Sequence, residues 1–346
     1  MFSLLRSLFL AGLTFTLTAP AFSADILQAS VAVDVTAQNT SAAREKALGE
    51  GQQQAFRRLL ESMTVEADRG RLPHPANWQE WVIDFSVDQE KTTPVRYLAT
   101  LSVRFKAQPV RNLLRQAGIS YAETVSKPVL VVPVLAQSGR GLLWDEDNGW
   151  LKAWQERPKL SSLAPVLTPM GDSWDRQAYD VGLDRERLET LGRRYGAAQT
   201  LLAEARVSPT GIDIRLIHPN GQAALLTVAN AKDQAQPPYR RAADAVALQI
   251  EESWKRANLV SHDSLGALVV TVSFNGMAEW LKIREKLERV SLIRRQDMLE
   301  LARNRASLAL HHSGDFAQLR TALSQADLNL SADGQGGHSL ALMPAR

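Results

Sequence analysis

The feature that most constrains this chain is a run of small residues on one helical face. In "NTSAAREKALGEGQQQAFRRLLESM" (residues 39–63), Ala43, Ala47, Gly51 and Ala55 recur every four residues, so they stack into one stripe. A stripe without bulk lets a helix backbone lie close to a flat surface, and Leu48, Phe56, Leu59, Leu60 and Met63 can pack along its margins. Just before it, "ASVAVDVTAQ" alternates as a strand does. The pair demands a helix laid on a sheet, with Asn39 or Thr40 as the cap.

The same grammar recurs along the chain, and it predicts an α+β protein of three small helix-on-sheet modules. The first, residues 24–126, continues with "EWVIDFSVDQE" and "PVRYLATLSVRF" as an antiparallel strand pair. "PVRNLLRQAGI" closes it as a short helix with Pro109 at its start and Gly118 at its end, giving the order β-α-β-β-α.

The second module, residues 127–260, opens with the buried strand "KPVLVVPVLA" and carries a Trp-rich insertion at 144–174. The helix "DRERLETLGRRYG" follows. Strands "AQTLLAEARV", "GIDIRLIHP" and "QAALLTVAN" are then joined by Pro209-Thr210-Gly211 and Pro219-Asn220-Gly221, which is turn chemistry suited to a meander. An amphipathic helix from Pro238 to about Leu259 ends the module, with Ala242, Val246, Ile250 and Trp254 on one face.

The third module, residues 261–333, reads β-α-β-β-α-β, the ferredoxin-like pattern. Residues 334–346 are expected to be a flexible tail, with His338 in it.

"YLATLSVRFKAQPVRNLLRQAGISY" followed by "KPVLVVPVL", and later "GDFAQLRTALSQADLNL", resemble the bacterial family known as domain of unknown function 2066. That resemblance implies an exported protein and brings no catalytic residue. The element order of the second module is similar to that of the N-terminal domain of the periplasmic protein TolB. Likeness at the level of fold carries little about function.

The N-terminus reads as a signal peptide, residues 1–23. Arg6 precedes the apolar run "SLFLAGLTFTLTAP", and Ala21 and Ser23 suit cleavage after Ser23; a retained N-terminal anchor is the alternative. No later apolar run is long enough to span a bilayer. The chain has no cysteine, which excludes disulfides, thiolate metal sites and cysteine nucleophiles. An exported chain of this kind must rest on its core, and a bacterial periplasm suits it. With 40 Lys+Arg against 37 Asp+Glu and no long basic block, nucleic-acid binding is disfavoured.

Several stretches invite a chemical reading. "LALHHSGDFAQL" (residues 308–319) sets His311 and His312 beside Ser313 and Asp315. Neighbours on a strand point to opposite faces, however, and cannot chelate one ion together. Asp315 stands where a helix cap belongs. "WDEDNGWLKAWQE" (residues 144–156) places Asp145, Asp147 and Glu156 at calcium-loop spacing, but Trp150 occupies the position that needs glycine. Asp147 or Asn148 capping a short helix is the simpler account. No nucleophile elbow, zinc-protease helix, P-loop or dinucleotide loop is present, and no cofactor or metal is implied.

The tryptophans remain. Trp144, Trp150, Trp154 and Trp174 lie in one insertion, and Trp150 and Trp154 are one helical turn apart. Flat aromatic surfaces stack on sugars or receive a partner's side chains. Arg140, Asp145 and Glu146 would supply the polar rim. Burial against the module's own sheet is the competing expectation.

The sequence therefore points to an exported periplasmic, non-enzymatic interaction protein of the cell envelope. Its partner would be another periplasmic protein or part of an inner- or outer-membrane complex. A small-ligand or glycan binder using the tryptophans, such as one taking peptidoglycan fragments, is the alternative; a hydrolase with an unfamiliar site comes third.

Overall fold

The small-residue stripe sets the geometry of the first sheet. In the computed structural model, which describes residues 26–158, 161–180, 184–230, 236–260, 265–333 and 336–344, β1 (Ile26–Thr36) leads into α1 (Thr40–Met63). Asn39 is the cap and its side chain accepts a hydrogen bond from the Ala42 N–H. Ala43, Ala47, Gly51 and Ala55 are all buried. A Cβ on Gly51 would stand 2.2 Å from Leu101 Cδ1 and 2.7 Å from Val33 Cγ1, so only glycine permits this approach. Two 3-10 turns, then β2 (Val82–Thr92), β3 (Arg96–Lys106) and α2 (Ala107–Gln116) complete the unit. The sheet is antiparallel in the order β1-β3-β2. Tyr97, Leu101, Val103 and Phe105 of β3 are buried under α1.

The middle sheet is built on β4 (Val129–Gln137), whose first seven residues are buried. After it come β5 (Arg140–Leu142), α3 (Gly149–Gln155), β6 (Val166–Leu167), α4 (Ser173–Asp180) and α5 (Arg185–Arg194). The meander of β7 (Gln199–Ser208), β8 (Gly211–Ile217) and β9 (Ala223–Ala229) follows, and α6 (Pro238–Ala257) closes the unit. The order is β5-β4-β7-β8-β9, with β4 and β7 parallel and the meander antiparallel. A continuous apolar strand needs cover on both faces. Accordingly α3 and α6 bury Val129, Val131 and Leu135, while Leu188 and Leu191 of α5 cover Leu130 and Val132.

The third sheet contains β10 (Leu265–Ser273), α7 (Met277–Glu288), β11 (Ile293–Leu301), β12 (Arg305–Ser313), α8 (Phe316–Gln325) and β13 (Leu328–Ala332) in the ferredoxin-like order. A fifth strand, β14 (His338–Leu342), corrects the expectation of a flexible tail. It inserts between β10 and β13, parallel to the first and antiparallel to the second. Its Leu340 is buried and stands opposite Val272 on one side and Leu330 on the other. The physical reason is the alternation in "HSLAL", which puts Leu340 on the helix-covered face and is too short to stand out alone.

Among the described residues no helix is long and apolar enough to cross a membrane. The signal-peptide reading falls outside the described residues.

Candidate functional site

The tryptophans are divided between core and surface. Trp150 and Trp154 are buried, packed edge to face with ring centroids 5.5 Å apart, and the Trp150 indole N–H donates to the Ala203 carbonyl at 2.9 Å. They fill the space between the middle sheet and α6, so the expected partner surface at these two positions is corrected to a core. Helical spacing fits both outcomes; the large apolar faces of β4, β7 and α6 decide it. Trp144 is half-buried against Gly171, whose φ of +77° and absent Cβ make room for the ring. Trp174 is 41% exposed and lies under the Arg194 guanidinium, 4.9 Å from the ring centroid. Arg140, Asp145 and Glu146 are exposed, but two of the four rings they were to rim, Trp150 and Trp154, face inward.

The acidic turn is a capping device. The Asn148 side chain is wholly buried, accepts from the Leu151 N–H at 3.0 Å, and donates to the Leu142 and Leu143 carbonyls at 2.9 Å. No cluster of three His, Asp or Glu side chains among the described residues could hold a metal ion.

His311 and His312 point to opposite faces. His312 is buried over Gly266, and His311 contacts Asp297 at 2.9 Å on the open face. Asp315 caps α8 reciprocally with Gln318.

A recess lies elsewhere, where the three sheets meet. It has a volume of about 630 Å³, and one of its walls is the segment Glu123–Lys127. With Tyr121, this segment touches all three sheet units. Tyr121 bridges to Val260 through a 2.8 Å backbone hydrogen bond, and the Trp254 indole donates to the Thr124 carbonyl at 2.7 Å. The Ala122 N–H bonds the Met63 carbonyl at 2.7 Å, and the Lys127 N–H bonds the Gln325 side chain at 2.6 Å.

Charge is sunk into the same junction. Glu123 has a side chain with no exposure and accepts from Arg111 of α2 at 2.8 Å and from Arg294 of β11. Arg294 also reaches the Ser313 hydroxyl at 2.8 Å. A second buried pair joins α6 to the end of α1. Lys255 lies 2.5 Å from Glu252 and donates to the Thr64 carbonyl at 2.7 Å, while Glu252 accepts from the Glu66 N–H at 3.0 Å and from Arg69 at 3.3 Å. Burial raises the Glu252 carboxyl, but the Lys255 hydrogen bond and the Glu66 N–H outweigh it and hold it below the ordinary glutamate range.

At the mouth of the recess, Asp327 bridges Lys127 at 2.5 Å and Lys286 at 2.8 Å. Burial raises this carboxyl, and the two lysine hydrogen bonds bring it below the aspartate range. The recess is otherwise floored by Leu27, Met63 and Val290, with Val125 52% exposed at its edge. Each of the three carboxylates, Glu123, Glu252 and Asp327, is engaged by two basic side chains. Sequence reasoning missed the junction because its members lie up to 198 positions apart; only the polar run "ETVSK" at 123–127 between apolar elements hints at it.

Residues 22–123 match the family model of a domain of unknown function, DUF8605. This overturns the resemblance to domain-of-unknown-function family 2066, which rested on a strand, a capped helix and a buried strand, features that many α+β proteins share. The match covers the first sheet with its helices and ends at Glu123. No curated protein and no solved structure matches the chain.

Proposed function

We propose that this is an exported, periplasmic, non-enzymatic interaction protein of the cell envelope, and that its partner docks at the recess between the three sheets. The observation that supports this reading is the junction itself. It is a concave site with an apolar floor, an exposed Val125 and a rim of paired charges, built on connections too heavily bonded to collapse. A recess lined by spent ion pairs suits recognition better than bond chemistry, because paired charges orient a partner and fix its register. Export is supported by the charged start and apolar run of residues 1–23.

The test is a photocrosslinking side chain placed at Val125 and activated in intact cells. The reading expects one recurrent crosslinked protein, weakened at least tenfold by V125D in pull-down with the identified partner. A Val125 probe that captures nothing above a probe placed at exposed Met170 would overturn it. Export is checked separately by sequencing the mature N-terminus, expected to begin at Ala24; an intact Met1 would contradict cleavage.

A further inference from the structure

Among the described residues, each open sheet ends in strands whose outer backbone groups have no strand partner, and natural edges are normally protected by charge, bulges or shortness. β2 exposes Ile83 and Phe85 but carries Asp84, Asp88 and Lys91 and two irregularities in its pairing. β11 exposes Met298 and Leu299 but carries Arg295, Asp297 and Glu300 and two irregularities of its own. β5 has three residues and β13 has five. β1 holds Asp34 paired to Arg96 at 2.7 Å, and none of its described large apolar side chains is exposed.

The edge strand β9 is different. "AALLTVA" has no charge and no proline over seven residues, its register with β8 is unbroken, and Leu225 is 82% exposed, more than any other large apolar side chain described.

We infer that β9 is a self-association edge that pairs antiparallel with β9 of a second copy about a two-fold axis at Leu226. This goes beyond the reading of the recess and uses a different surface. The strand is self-complementary in that register. Leu226 meets Leu226 and Ala224 meets Val228 on the face turned toward α6, while Leu225 meets Thr227 and Ala223 meets Ala229 on the other face. Charge agrees as well. On β8, Asp213 stands opposite Thr227 and Arg215 opposite Leu225. Each row across the joined sheets therefore runs from Asp213 of one copy to Arg215 of the other, and no like charges come opposite. A lone seven-residue strand buries less than the roughly 800 Å² per partner of a stable interface, so the dimer is weak and depends on concentration.

Sedimentation velocity of the purified protein over a hundredfold concentration range tests this. The expected result is a reversible monomer–dimer equilibrium. The variant L225K/T227K, which opposes like charges across the proposed register, weakens association at least tenfold. L225E/T227K, which opposes unlike charges, restores it. Both sites are exposed, so circular dichroism is expected to be unchanged. A wild-type protein that stays monomeric throughout the range, or association unaltered by L225K/T227K, overturns the proposal. Failure of L225E/T227K to restore pairing overturns the register.

Discussion

Buried Glu123 and Lys255 are costly side chains to place in a protein interior, and each is tolerated because every charged atom has a partner from another part of the chain. Removing one member leaves the others charged and dry. Glu123→Ala removes the buried carboxylate that Arg111 and Arg294 share and is expected to cost about 3–5 kcal/mol in urea unfolding. Exposed pairs such as Arg57–Glu61 on α1 are worth about 0.3–0.5 kcal/mol. Gly51 gives the converse test. Alanine favours helix by about 1 kcal/mol, but its methyl would collide with Leu101 and Val33, so G51A is expected to lower stability by about 1–2 kcal/mol net. At Trp150 the expected outcome is loss of fold rather than loss of a partner. Trp150→Ala removes a fully buried ring and costs about 3–5 kcal/mol by thermal or chemical melt.

Elements with a strong period were legible in the sequence. The stripe of α1, the alternation of β3 and β10, the Asp315 cap and the two Pro-x-Gly turns each fix an element from local chemistry. The elements that were missed are short or depend on a distant surface. β5 and β6 hold three and two residues, and β14 becomes a strand only because β10 and β13 leave a slot for it. The tryptophan helix is legible as an element while its facing stays open between surface and core, since a Trp pair one turn apart can meet solvent or a sheet. β14 is expected to be essential to the third sheet. Truncation after Asp333 uncovers the edges of β10 and β13 and the core side chains Val272 and Leu330. The shortened protein should lose hydrogen-exchange protection throughout β10 and β13 while β1 and β3 keep theirs.

For the whole molecule, three sheets that local sequence describes as separate modules share one polar junction, and nothing in their individual patterns announces it. Acid should reveal it. Glu252 and Asp327 both titrate below their ordinary ranges when folded. Their contribution is therefore complete above the unfolded carboxylate values of about 4 and is lost as pH falls through the depressed ones. Melting temperature is expected to hold from pH 7 to about 5 and to fall below about 4, with a shallower fall in a Lys255→Met background.

The most direct test of the central claim, that the Tyr121–Lys127 segment welds the sheets into one unit around the recess, is calorimetric unfolding of the wild-type protein beside Glu123→Ala. One cooperative transition is expected for the wild type and a separate, earlier transition of the third sheet in the variant. Independent transitions in the wild type, unmoved by Glu123→Ala, would contradict it.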